Sequence, residues 1–173
     1  MVANLYGDYV KGPNLERFPE IIQQGIRLHR TIDSFIDTHP DVLALKRNLY
    51  DDLPKVSGIA VDLFFDHLLA RNWSSYHTLR YEEYLDRFYN HKIIAPEVYP
   101  EEFLNFIKAM RAHNWLSHYP SKYGLIKSCE GVSRKLSFPN ALNTAALVFE
   151  NHEEEITRCF TKYMHDARLF FNS

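Results

Sequence analysis

Residues 55–73, KVSGIAVDLFFDHLLARNW, decide the fold. Wound at about 100° per residue, Ile59, Val61, Leu63, Phe64, Phe65, Leu68 and Leu69 spread round most of the circle. A helix that is apolar on nearly every side belongs at the centre of a helical domain. Asp62 and Asp66 interrupt it one turn apart on a single line, and His67 projects elsewhere. Two aspartates on a buried helix repel each other and need a cation, a shared proton or an arginine.

Outward from this segment, apolar residues recur at three- and four-residue steps, and sustained strict alternation is absent, so the chain reads as all-α. A short first segment, VANLYGDYVKG, ends at Gly12-Pro13. Helices are expected at 19–37, 40–50, 56–73, 81–90, 101–117 and 122–135. Pro139 opens a last helix of roughly 30 residues. Leu142, Ala145, Phe149, Ile156, Phe160, Tyr163, Ala167 and Phe170 form its stripe.

The 173 residues suit one domain with a real core, and no repeat or linker divides them. A net charge of −2 gives no basic surplus for nucleic acid. No signal peptide or membrane-length apolar run is present. Cys129 and Cys159 show no paired spacing and fit reduced thiols in a cytoplasmic protein.

GIRLHRTIDSFIDTHP, residues 25–40, makes a second polar line. On a helical wheel His29 falls inside the apolar arc, between Ile36 and Ile22, with Ile21, Leu28 and Ile32 further along that arc. Asp33 and Asp37 follow one and two turns on. A His–Asp hydrogen bond within the core would satisfy the first pair. One divalent metal, or two, would satisfy this helix and the Asp62–Asp66 helix together. Histidine nitrogen with carboxylate oxygen suits Mn²⁺, Fe²⁺, Mg²⁺ or Zn²⁺. The alternative is a buried ion network through Arg30, Arg71 or a lysine. No glycine-rich phosphate loop, GxSxG elbow or HExxH motif competes.

These elements carry a resemblance. NLYGDYVKG, GIRLHRTIDSFIDTHP and VDLFFDHLLARNW, followed by HNWLSHY and GVSRKL, are similar in order to motifs of the acyl carrier protein phosphodiesterase family. The resemblance implies a single helical domain over 1–173, distantly like the HD-domain phosphohydrolases. It implies hydrolysis of the phosphodiester joining 4′-phosphopantetheine to a serine of acyl carrier protein, with Mn²⁺ as the expected metal and Mg²⁺ or Fe²⁺ as others. By motif position, Asp8, His29, Asp33, Asp62 and Asp66 are expected metal ligands. Arg30 and His67 are expected in catalysis, and Asp37 and Arg134 in substrate binding.

Family members usually begin with a segment resembling MNFLAHLYLS, which carries a histidine suited to a metal. This chain begins MVANLYGD, and the expectation is that it lacks that segment. An acidic partner calls for a basic face, for which Lys11, Arg17, Arg27, Lys46, Arg47 and Arg71 are candidates. Two other readings stay open: an HD-like hydrolase of a nucleotide or other small phosphodiester, and a non-catalytic homologue with an incomplete site.

Overall fold

A computed structural model of the chain describes residues 1–172, and among these there are nine α-helices and no strand. The helices are α1 (Val2–Leu5), α2 (Glu20–Thr38), α3 (Pro40–Asn48), α4 (Ser57–Arg71), α5 (Tyr81–Asn90), α6 (Glu101–Ala112), α7 (Lys122–Ser133), α8 (Ala145–Asn151) and α9 (Glu153–Phe171). Short 3₁₀ turns fill several connections, including Tyr6–Tyr9 directly after α1 and Trp115–His118 after α6.

Helix α4 lies at the centre, as its composition requires. Ala60, Val61, Phe64, Phe65 and Leu68 are buried among residues from α3, α7, α8 and α9. Phe64 packs on Phe149, and Phe65 on Phe160 and Tyr163. Side chains of this size stabilise the fold by about 1.5–3 kcal/mol each when fully buried. A second apolar cluster joins Tyr6, Phe18, Ile22, Ile26, Tyr99, Phe103 and Ile107. Helix α2 spans both clusters, with Ile22 and Ile26 in the second and Phe35 and Ile36 packed against the first.

Two junctions fix α2. Gly25 lies so close to α1 that a Cβ there would come 2.5 Å from the Ala3 Cβ. At the other end, buried His39 joins α2 to α3, and its Nε2 lies 3.2 Å from Asp166 of α9. Pro40 then opens α3, where a missing N–H costs nothing. Helices α2 and α4 are linked through α3, which packs on both, rather than laid side by side.

The structure corrects the sequence reading in three places. The last helix does not begin at Pro139. Asn140 turns the chain by accepting from the Leu142 amide at 3.1 Å, and the helix breaks at His152, whose side chain reaches Asp52 at 3.1 Å. The 101–117 helix stops at Ala112, because Asn114 adopts the left-handed conformation, φ 47°, which ends helices. The apolar arc of α2 is only partly covered: Ile21, Leu28 and Ile32 are exposed, as is Phe170 on α9. Both cysteines are free, as expected, and both are buried.

Candidate metal and phosphodiester site

His29 is the pivot. Its Nε2 lies 3.0 Å from Asp33, one turn on along α2, and 3.2 Å from Asp8 of the Tyr6–Tyr9 turn. The local sequence makes that approach possible. A Cβ on Gly7 would fall 2.1 Å from the His29 ring, so only glycine lets this turn sit on the imidazole. Arg30, the next residue, donates to the carbonyls of Val10 at 3.0 Å and Gly12 at 2.7 Å. It thereby fastens the strand of chain that leaves Asp8.

The wheel placed His29 and Asp33 on the buried side, and this needs adjustment. The His29 side chain retains 16% of its exposure, whereas Asp33 retains 53% and Asp8 75%. The three form an open mouth rather than a buried pair, and their ligand atoms lie within 4.8 Å of one another.

Asp62 and Asp66, on α4, keep exposed surface, yet protein crowds round both carboxyls enough to desolvate them. Burial pushes Asp62 up to about 6; Asp37, Asp33 and Asp8 push the same way, and Lys46 opposes them. Burial and the charge of Asp62 push Asp66 up to about 7. Asp33 is raised too, by burial first, with His29 opposing and Asp8 and Asp37 adding. The electrostatic coupling joins Asp8, Asp33, Asp37 and Asp62 into one acidic site, with Asp66 reached through Asp62. This is an under-neutralised cluster, the environment that favours a bound cation.

Asp37 accepts from Lys46 Nζ at 2.9 Å, across the junction of α2 and α3. Lys46 is the cation that offsets Asp62; the sequence allowed a lysine in that role, but Lys46 itself was named only for a basic face. Sequence reading also missed a tyrosine lining. Burial, then the charge of Asp66, raises Tyr119 to about 12; Tyr163 reaches about 12 through burial and the charges of Asp62 and Asp33. Tyr119 stands in the HNWLSHY element, which was the available signal.

Other expected residues lie elsewhere. His67 is buried, its Nδ1 lies 2.7 Å from the Tyr119 carbonyl, and its ring packs edge-on against Phe149. Arg134 caps α7 and lines a separate open cavity with Glu130, Phe138 and Asn140. The residues expected to form a basic face are largely engaged: Arg27 pairs with Glu20, Arg71 with Glu153 and Lys46 with Asp37, and Arg17 lies over Phe18.

Fold and site together define an all-helical protein with a histidine–carboxylate cluster coupled to further aspartates on α2 and α4. The sequence model for acyl carrier protein phosphodiesterase matches residues 1–167, and the chain belongs to that family. It is 27% identical over 167 residues to the acyl carrier protein phosphodiesterase of Photorhabdus laumondii, covering 94% of this chain and 83% of that protein. It is 26% identical over 166 residues to that of Enterobacter sp. (strain 638), covering 93% and 84%. A shorter stretch of 73 residues is 38% identical to the Pectobacterium atrosepticum protein, covering 42% and 38%. No solved structure matches the chain. No helix among the described residues is long and apolar enough to cross a membrane.

Proposed function

We propose that this protein hydrolyses the phosphodiester between 4′-phosphopantetheine and the serine of acyl carrier protein, with the help of a divalent cation. One observation carries the reading: His29 Nε2 stands within 3.2 Å of carboxylates from two separate elements, with two further aspartates, Asp62 and Asp66, held partly protonated near neutral pH beside them. Family membership over residues 1–167 supplies the substrate class.

The donor set fits a cation. One imidazole nitrogen with carboxylate oxygens suits Mn²⁺ first, and Mg²⁺ or Fe²⁺ as others. Asp8, His29 and Asp33 would hold it, with Asp62 and Asp66 nearby. Such an ion supplies Lewis acidity and a bound water acidic enough to ionise near neutral pH.

The chain's own residues do the rest. Gly7 and Arg30 hold the Tyr6–Tyr9 turn so that Asp8 faces His29. Lys46, held by Asp37, offers an ammonium to a non-bridging phosphoryl oxygen. Tyr119 and Tyr163 stand near enough to Asp66 and Asp62 to feel their charge, and offer phenol hydroxyls beside the carboxylates. Arg30 serves as a positioning residue, since its guanidinium is already spent on backbone carbonyls.

The test is to incubate holo acyl carrier protein with this protein and Mn²⁺ and then weigh the carrier. Loss of the phosphopantetheine mass, abolished by Asp33→Asn, is expected. Retention of that mass at every metal tried would overturn the reading.

A further inference from the structure

The N-terminal end of α4 carries features that the carboxylate site does not use. Ser57, Gly58 and Ile59 open the helix, and no side chain caps it. Their three amides find no carbonyl acceptor among the described residues. They point their N–H groups out of the helix end, where the dipole adds positive potential.

An open cavity of about 420 Å³ lies at this end, lined by Leu43, Lys46, Arg47, Tyr50, Asp51 and Ser57. Ser57 is only 7% exposed, it lines the cavity, and its hydroxyl makes no hydrogen bond among the described residues. What exposure the hydroxyl oxygen keeps is toward the cavity, so it is open to a ligand there. Arg47 is exposed and makes no ion pair among the described residues. Lys46 shares its charge with Asp37, and Asp51 is the one carboxylate of the lining. Gly58 leaves the amides uncovered; the nearest atom to a Cβ there would be the Lys46 side chain at 3.7 Å. Leu43 and Tyr50, both substantially exposed, supply an apolar wall.

A guanidinium without an ion pair, an unpaired hydroxyl on a nine-tenths buried serine and three unpaired amides at a helix N-terminus match a tetrahedral oxyanion. The apolar wall suits an organic chain attached to it. We infer that this cavity is a second anion site, distinct from the carboxylate site, that binds the phosphate group of a small phosphorylated molecule. Lys46 borders both, so the cavity adjoins the site where a phosphomonoester is released. That last connection rests on the proposed function; phosphate binding itself does not.

The test uses the full chain, isotopically labelled, without added metal. Amide resonances of Ser57, Gly58 and Ile59 are followed by NMR at constant ionic strength. Inorganic phosphate is titrated in one arm, 4′-phosphopantetheine in a second and chloride in a third. Saturable shifts at these amides are expected with phosphate and not with chloride. Arg47→Ala and Ser57→Ala should each weaken binding, Arg47→Ala by about tenfold or more. Lys108→Ala, remote and exposed, should leave it unchanged. Tighter binding of phosphopantetheine than of phosphate assigns the cavity to the phosphomonoester, and equal binding assigns it to free phosphate. Shifts that fail to saturate, or that survive in Arg47→Ala, overturn the inference. Because no turnover is measured, this result is separate from the fate of the phosphodiesterase reading.

Discussion

Replacing Asp66 with asparagine should stabilise the metal-free protein while weakening its hold on metal. Asp66 is raised from 3.8 to about 7 by burial and by Asp62. A raised carboxyl pKa means that ionisation is harder in the folded than in the unfolded state. The native state is therefore unpenalised below about pH 4 and loses stability as pH climbs through about 7. At about 1.4 kcal/mol per unit, the rise caps the penalty at about 4 kcal/mol. Solvent reaches this carboxylate, and screening cuts the measurable part to about 1–2 kcal/mol. For a chain of this length that is an increase in Tm of about 2–8 °C. Thermal unfolding in chelator, from about pH 5 to about pH 8, checks it. The advantage of Asp66→Asn should grow with pH across that range. Adding Mn²⁺ should reverse the order, since an ion at a hundred times its Kd stabilises the wild type by about 2.7 kcal/mol. A variant less stable than wild type at every pH in chelator, or a gain that ignores pH, would refute the reasoning.

Three further outcomes are expected. Gly7→Ala drives a methyl into the His29 ring, 2.1 Å from its nearest atom, and should cost about 1–3 kcal/mol and weaken Mn²⁺ binding by calorimetry. Arg30→Ala removes the donors to Val10 and Gly12; kcat should fall with KM nearly constant, whereas a phosphate-binding arginine would raise KM. His67, pushed down chiefly by burial, should make the fold more sensitive to acid: its stability is present above about pH 6.5 and is lost as pH falls through its depressed folded value. Chemical denaturation of His67→Asn should therefore show a flatter decline from neutral to acid pH than wild type.

Much of this was legible in the sequence for a physical reason. Helix periodicity is local, so α2 to α5 fall within two residues of expectation, with Pro40 marking one start. The break at His152 was not legible, because nothing in 145–163 disrupts the stripe; a contact with Asp52, a hundred residues away in sequence, accompanies it. The site divides the same way. His29 with Asp33, and Asp62 with Asp66, are i,i+4 pairs that one wheel shows. Their exposure depends on what covers each helix, and a wheel carries no information about that. Asp33 keeps about half its exposure although it shares the line of His29. Arg30 matched a catalytic motif, and only the path of Val10–Gly12 reveals that its guanidinium holds backbone. Lys46 and Tyr163 had no local signal, since both reach the site from other helices.

The central placement is a cation held by Asp8, His29 and Asp33, with Asp62 and Asp66 nearby. Crystals grown with Mn²⁺, measured for anomalous scattering, test it most directly. A peak beside His29 Nε2, lost in Asp33→Asn, is the predicted result. A peak at the second cluster of His39, Asp41 and Asp166 alone, with none at His29, would contradict it.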